Sequence, residues 1–571
     1  MSVASKTFSR LAWRERLTRL PLRRRRALSS ARKAKYRSAQ QYIVVQQQLD
    51  PIFEKYAGGA GPGLVVGIAQ TGRETYRRAF GLSSVEDGSP NTVGTRMHIG
   101  SSTKQFTCLG VLLLAEDGLL SIDDDIRTHL PELPEYQHRV AIRKLMSNTS
   151  GLRCYLDLIG LLASMDRWVP EPRARQLQML QHSVNFAPGE RLLYCNGGFL
   201  LLSLLIERLS GMPLAEFFSK RIFEPLAMTA TALEPNDTKL IEGVATLHQR
   251  YPDGSYHRGT LGVPITGDGA IVSSVEDMLR WLAHMNAPHI GNAATWKTLL
   301  TAGSNTVHGY GFGLMQLNYR GVRTIQHGGT VFGGRCQLLK VPDHGIDVVM
   351  MSNASDIFPA ELTDRVLDVL LEGKLGLPLA PAEGANARRF AGTYYSAQTG
   401  DEVTVVVKDD RAFVEGESGE QPLYEIGDGG FKTNLYSLGI TLHAARREGD
   451  ETLEEIELGQ GGFRATLHRV DSAKDAPDLA VCCGTYENAD CEAQATVSNN
   501  GTRKLAIRSR YGAAEYTLEH LSGDAWFAHL QDSWFPLKLR VEFIRSSDDA
   551  SAFYISSDRT KRLQFNRMRQ N

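Results

Sequence analysis

The sequence predicts an α/β sandwich, one antiparallel sheet flanked by helices, followed by two small antiparallel β-barrel domains. Three observations carry this. Strand-like segments stand at both ends of residues 46–375 with helix-like segments between them, the pattern of one sheet covered by helices. Beyond residue 388 the chain turns to short alternating strands separated by turns, with little helical periodicity. Finally, Gly392-Thr393-Tyr394 returns as Gly484-Thr485-Tyr486, 92 residues later, each time heading a β-rich block.

The elements follow in chain order. Residues 1–45 form a basic extension. The first 49 residues hold 13 Lys/Arg against one acid, Glu15, whereas the whole chain balances 64 basic and 64 acidic side chains, so the body is net acidic. A run such as Arg23–Arg26 suits nucleic acid, anionic lipid or an organelle-targeting leader. With almost no core-forming pattern around it, a disordered extension is the plainer reading, and no nucleic acid is expected as a partner. The extension lacks the apolar stretch of a secretory signal, and no run of about 18 apolar residues follows, so neither export nor a membrane span is expected.

Within 46–375, Gly63-Leu-Val-Val-Gly-Ile-Ala69 reads as a buried strand and Glu74–Phe80 as its hairpin partner. Ser102–Glu116 reads as a helix with Leu109, Leu112 and Leu113 on one side and Gly118 at its stop; Phe199–Arg208 is a second, ended by Gly211. Strands follow around Thr324–Gln326, Cys336–Lys340 and Asp347–Met351, the last two joined by the turn Pro342–Gly345. A helix near Pro359–Leu371 closes the region. Residues 376–387 are rich in Gly, Ala and Pro and read as a linker. The first barrel is assigned to 388–475, where Val403, Val405 and Val407 alternate with polar neighbours. The second is assigned to 476–571, where Asn500-Gly501 is a hairpin turn.

Seven scattered cysteines, with no CxxC pair and no HExxH, point away from disulfides and zinc and toward a reducing cytosol. No metal or cofactor is expected.

Three motifs carry chemistry. Ser101-Ser-Thr-Lys104 opens a helix, so hydroxyl and amine share one face one turn apart. A serine hydroxyl is a poor nucleophile until a base takes its proton, and the helix N-terminus adds N–H groups where an oxyanion forms. Tyr194-Cys-Asn196 precedes the second helix; its phenol suits a proton relay and Asn196 suits orienting a substrate amide. His327-Gly328-Gly329 lies on or after a strand, where the glycines let a substrate approach the backbone and leave the Thr330 N–H as an oxyanion donor. Each alone is weak. Ser30–Lys33, Tyr486–Asn488 and His257–Gly259 repeat the three patterns where no such site is expected. An isolated S-x-x-K is usually a helix cap beside a solvated lysine.

Their order is specific. Serine–lysine, tyrosine and histidine–glycine, together with Met146-Ser-Asn-Thr-Ser-Gly-Leu152, Phe186-Ala-Pro-Gly189, Gly267–Ser274 and Tyr310–Leu314, resemble the serine β-lactamase and penicillin-binding protein superfamily on its class C and esterase side, over roughly residues 50–370. Gln105–Cys108, Tyr194-Cys-Asn-Gly197, and His327-Gly-Gly followed by Arg335-Cys336-Gln337, with two trailing barrels, look like the D-stereospecific aminopeptidases. That resemblance implies Ser101 as nucleophile, Lys104 as base, Tyr194 as proton relay and His327 as a wall residue where transpeptidases carry lysine. It implies Asn196, Gly328, Gly329, Thr330 and Arg335 as substrate-binding. In those aminopeptidases a loop of the last barrel supplies an acid for the substrate amine. The stretch 509–515 is taken to correspond, with Glu515 as its one acid.

The resulting expectation is a cytoplasmic serine hydrolase that releases N-terminal D-residues from small peptides, amides or esters. A homodimer is left open. The alternatives are a broad esterase, a D-Ala-D-Ala carboxypeptidase or β-lactamase, and an inactive module sensing peptidoglycan fragments. A histidine in the third motif is a weaker anion clamp than lysine, which ranks the carboxypeptidase and β-lactamase roles lower.

Overall fold

The computed structural model describes residues 44–163, 169, 171–236, 239–260, 265–301, 309–416, 419–433, 439–445, 452–470, 477–530, 537–546 and 549–569. The basic extension lies outside the described residues save for positions 44 and 45. These open a helix through residue 53 whose Leu49, Ile52 and Phe53 are buried.

Six strands form the sheet of the first region: β1 (Leu64–Gln70), β2 (Arg73–Phe80), β3 (Met315–Tyr319), β4 (Val322–Val331), β5 (Gly334–Val341) and β6 (Ile346–Ser352). Their order is β3-β4-β5-β6-β1-β2, antiparallel throughout. The two ends of the region meet in it, with Leu64 opposite Ser352. Its helices include α1 (Lys104–Glu116), α2 (Tyr155–Ala163), α3 (Asn196–Ser210), α4 (Val275–His284) and α5 (Pro359–Leu370). Alternation along the strands sorts two cores. Val65, Leu338, Val349 and Met351 face a core shared with α1 and α4, while Leu64, Val66, Leu339, Val348 and Met350 face one shared with α5. Because β1 and β6 are buried on both faces, they read as nearly unbroken apolar runs.

Helix ends follow local chemistry. Gly211 ends α3 at φ 67°, a left-handed conformation that spares glycine a Cβ clash. Ser274 caps α4, its side chain accepting from the Asp277 N–H at 3.2 Å. The helix expected from Ser102 begins two residues later, because Gly100–Thr103 winds as a 3₁₀ turn leading into α1.

Two closed eight-stranded antiparallel barrels follow, from Gly392–Ser396 to Phe463–Val470 and from Gly484–Asn488 to Leu563–Arg567. The Gly-Thr-Tyr repeat is one packing device used twice. Tyr394 and Tyr486 are fully buried, and an arginine of each closing strand, Arg469 or Arg567, lies over the ring at 5.3 and 5.9 Å. The glycines make room for it: a Cβ on Gly392 would lie 2.6 Å from the Arg469 guanidinium, and one on Gly484 3.2 Å from that of Arg567. Within 376–387, Pro381 and Glu383 bridge to Tyr424 and Arg411, and Ala382 is buried.

The second barrel is welded to the first region. Leu158, Leu161 and Leu162 of α2 share a core with Tyr516, Trp526 and Phe553, and the Tyr516 hydroxyl donates to the Leu161 carbonyl at 2.6 Å.

Candidate active site

The turn that carries Ser101 is fixed from two sides. The Ser102 hydroxyl donates to the His327 carbonyl on β4 at 2.9 Å, and the Thr103 hydroxyl accepts from the Ile271 N–H at 3.1 Å. Ser101 itself is half-buried. One turn on, Lys104 is fully buried, and its Nζ donates to Ser101 Oγ at 3.1 Å, Asn196 Oδ1 at 2.7 Å and the Asp268 carbonyl at 2.6 Å. Asn196 Oδ1 and the Asp268 carbonyl can only accept, so they take two hydrogens of the amine, hold it in one rotamer and leave its remaining position aimed at Ser101 Oγ.

Tyr194 precedes α3 and Asn196 begins it, so the start of one helix delivers both groups to Lys104. The amine lies 4.8 Å above the Tyr194 ring and 5.2 Å from that of Phe199. The Tyr194 hydroxyl is buried and has no protein partner among the described residues. Buried polar groups are rarely left so, which makes this hydroxyl a candidate to meet a ligand.

His327 completes an aromatic wall. Its ring centre is 6.4 Å from that of Tyr194 and 5.8 Å from that of Tyr310. Burial, then the nearby Lys104 charge, pulls the imidazole down to about 3, so it is neutral near pH 7. Nδ1 faces the Gly328 carbonyl at 2.6 Å and Nε2 faces the Tyr310 hydroxyl at 3.2 Å. A carbonyl only accepts, which assigns the proton to Nδ1 and makes Nε2 the acceptor of the Tyr310 O–H. Burial pushes Tyr310 well above the usual phenol range, so it remains a donor.

The glycines bring two backbones into contact. A Cβ on Gly329 would lie 1.8 Å from the Ile99 carbonyl and 3.0 Å from the Ser101 nitrogen; one on Gly100, at φ 51°, would lie 2.8 Å from the Thr330 nitrogen. The Ser101 and Thr330 amides therefore flank one narrow seam beside the nucleophile.

Ser101, Lys104, Tyr194, Asn196, His327 and the Gly328–Thr330 backbone come together as expected from the sequence. Two expected substrate-binding residues do not. Arg335 pairs in register with Thr330, and both side chains lie on the sheet face opposite His327. Its guanidinium donates to the Ser355 carbonyl at 2.7 Å and covers the Phe358 ring at 4.3 Å. Glu515 points out of the second barrel and pairs with Lys504 at 2.6 Å, both half-exposed. Its strand alternates so that Ala514 and Tyr516 fill the barrel and Glu515 cannot.

Four groups at the site were not singled out from the sequence. The Asp268 carbonyl holds Lys104, Tyr310 orients His327, and Phe199 lies beside the amine. Arg559, in the turn between Asp549–Ser556 and Leu563–Arg567, places its guanidinium 5.3 Å from the Tyr194 ring. Tyr310 and Asp268 stand inside stretches noted for the superfamily resemblance, a usable signal. Phe199 and Arg559 carry none: one looks like helix core, the other like a solvated turn charge.

Comparison with known proteins agrees with this geometry. Residues 49–372 match the family model described as Beta-lactamase. The D-aminopeptidase of Brucella melitensis biotype 2 (strain ATCC 23457) is 29% identical over 487 residues, covering 83% of this chain and 88% of that protein. That of Brucella anthropi is 29% identical over 498 residues with the same coverage. Among solved structures, the octameric penicillin-binding protein homologue from Pyrococcus abyssi superposes with a TM-score of 0.53 at 23% identity, covering 74% of this chain and 99% of that one.

Proposed function

Because the chain belongs to the beta-lactamase family and is a serine hydrolase, we propose that it acts through an acyl-enzyme on Ser101 and releases N-terminal D-residues from short peptides, amides or esters. The observation that carries this is the buried Lys104 amine 3.1 Å from the Ser101 hydroxyl, with the unpartnered Tyr194 hydroxyl beside it.

The amine acts in its uncharged form. It takes the Ser101 proton as Oγ bonds to the substrate carbonyl carbon, and the carbonyl oxygen becomes an oxyanion accepting from the Ser101 and Thr330 amides. Tyr194 passes the proton to the leaving nitrogen, the C–N bond breaks, and an ester on Ser101 remains. Water then attacks that ester, its proton follows the same route in reverse, and Oγ leaves as the hydroxyl. Asn196, with Oδ1 bound to Lys104, has its amide NH₂ to offer a substrate carbonyl.

The aminopeptidase reading draws on two supports. The D-aminopeptidase relatives cover most of the chain, and the third-motif position offers a neutral imidazole where a carboxylate-gripping site needs a cation. The test is chemical. Intact-mass measurement after incubation with D-alanyl peptides should show an adduct of one D-residue on wild type and none on Ser101→Ala. D-alanyl p-nitroanilide should turn over faster than its L-isomer. Turnover of butyrate esters with no hydrolysis of the D-anilide refutes the aminopeptidase reading in favour of an esterase, and an adduct surviving Ser101→Ala places the nucleophile elsewhere.

A further inference from the structure

A buried carboxylate stands behind the Lys104 amine. The loop that bears it is already clamped through Gly267, next in sequence. The Thr107 hydroxyl of α1 donates to the Gly267 carbonyl at 2.6 Å, and the Gly267 N–H donates to Ser203 Oγ of α3 at 3.0 Å. A Cβ on Gly267 would lie 2.5 Å from Ser203 Oγ and 2.6 Å from Thr107 Oγ1, so a side chain there would push both clasps apart. The clamp aims the Asp268 carbonyl at Lys104 Nζ, 2.6 Å away. The Asp268 side chain is a separate matter. Asp268 is 2% exposed; Oδ1 accepts from the Thr266 N–H at 2.7 Å, and Oδ2 accepts from the Tyr155 hydroxyl at 3.1 Å. A carboxylate in so dry a place is costly unless donors and an opposite charge answer it. Burial raises the carboxyl above its usual range, and the Lys104 charge pulls against that rise.

Resting on the proposed function, we infer that Asp268 is a positioning residue whose carboxylate is the counter-ion of Lys104, stabilising the ammonium that forms when the amine takes the Ser101 proton.

The sign follows from charge. A carboxylate beside an amine favours the protonated amine. That helps the step in which Lys104 gains the Ser101 proton, and it holds back the uncharged amine that begins the step. Removing the negative charge therefore acts in two directions. More enzyme is competent at low pH, while the base is weaker where all of it is competent. A residue that only packs the loop has neither signature. Other titratable groups face the pair. Burial pushes the Cys108 thiol on α1 well above its usual range, and burial followed by the Asp268 charge does the same to the Tyr155 phenol on α2. His327 on β4 is neutral, and Tyr194 faces the amine from the start of α3. Cys154, beside Tyr155, differs: burial raises its thiol, but hydrogen bonding, chiefly with Cys195, outweighs this and brings it down to about 7.

The experiment follows two rates from about pH 5 to about pH 10: labelling of Ser101 by a fluorophosphonate, and kcat/KM on D-alanyl p-nitroanilide. Wild type is compared with Asp268→Asn, Tyr155→Phe and Cys154→Ser. Asp268→Asn keeps the shape, since its oxygen can accept from the Thr266 N–H and its amide can donate to the Tyr155 oxygen. Its acid limb should move down by about one pH unit or more. Its plateau should fall by up to about tenfold, because one pH unit is a factor of ten between protonation states. Asp268→Ser, smaller and likewise neutral, carries the same expectation should the asparagine variant not fold. Tyr155→Phe keeps the carboxylate and should not move the limb downward, and Cys154→Ser should leave it in place. Rates lowered equally at every pH in Asp268→Asn overturn the inference, as does an equal downward shift in Tyr155→Phe. So does a limb that vanishes with Cys154, which would belong to that thiol. A labelling profile that shifts as expected while the anilide is never cleaved supports the counter-ion and overturns the aminopeptidase reading instead.

Discussion

Removing the charge of Asp401 should loosen the junction of all three domains. The Asp401 carboxylate lies in the first barrel, accepts from both Arg191 nitrogens at 2.8 and 2.9 Å, and pairs with Lys561 of the second barrel at 2.9 Å. The three side chains are 3–7% exposed. Burial raises the carboxyl, but the adjoining Lys561 and Arg191 charges outweigh it and hold Asp401 well below the usual range. Asp401→Asn keeps the shape while leaving two buried cations without a counter-ion. Breaking such a pair costs about 3–5 kcal/mol, roughly a 200- to 5,000-fold shift from docked toward undocked barrels. In a multidomain chain this should appear as a new, earlier melting transition in calorimetry and as faster proteolytic cutting between domains, not as one shifted midpoint. The sign with pH is also set. A carboxyl depressed in the native state contributes fully above its unfolded value, about 3.9, and loses that contribution as pH falls through the native value. Acidification below about pH 4 should therefore loosen wild type and leave Asp401→Asn little changed. An Asp401→Asn variant with an unaltered melting profile would refute the reasoning. So would failure of Arg191→Met/Asp401→Leu/Lys561→Met, which removes all three charges, to regain stability over Asp401→Asn.

Two further outcomes follow from the site. Lys104→Ala should lower kcat about 10²- to 10⁴-fold with little change in KM, as loss of a base acting in the transition state requires; comparable steady-state kinetics would reassign the base. His327→Gln should flatten the acid side of the stability profile. The native imidazole is depressed to about 3, so between that value and about 6.5 the unfolded chain binds a proton that the native chain does not. Wild type then loses up to about 1.4 kcal/mol per pH unit as pH falls, and equal slopes in urea titrations at pH 4, 5 and 6 would contradict a buried neutral imidazole.

Much of the architecture was legible because burial leaves a period in the sequence. β1 and β6 announced themselves as apolar runs, and the Gly-Thr-Tyr repeat announced two barrels because each needs the same glycine to admit an arginine from its closing strand. Ser101, Lys104, Tyr194 and His327 were legible as a candidate site because the proposed chemistry needs particular side chains at particular helix and strand ends. What was illegible falls into two kinds. The Asp268 carbonyl belongs to a backbone group that every residue possesses, and Arg559 meets Tyr194 across 365 residues of chain. Arg335 and Glu515 were misplaced for a different reason: the residue type suited a ligand, but strand alternation had already committed each to the wrong face. Ala514 and Tyr516 flank Glu515 as Cys336 shows on one side of Arg335, so the period-two pattern held the correction in plain text.

The barrels are joined to the flank of the candidate site by ion pairs. Arg191 stands three residues before Tyr194, and Lys561 stands two residues after Arg559; both close on the same carboxylate of the first barrel. Asp401 thus ties the segment that carries Tyr194 to the turn that carries Arg559. Among the described residues, the hydrogen-bond partners of Ser101, Lys104 and His327 all lie in the first region. Two layers of control follow from that division. On the proposed mechanism, the groups that activate the nucleophile come from the first region alone, whereas Tyr194's side of the site is tied to residues of all three. Asp401→Asn should accordingly slow turnover through Tyr194's side of the site while labelling of Ser101 by a fluorophosphonate stays near wild type, and loss of labelling would show that the junction reaches the nucleophile too.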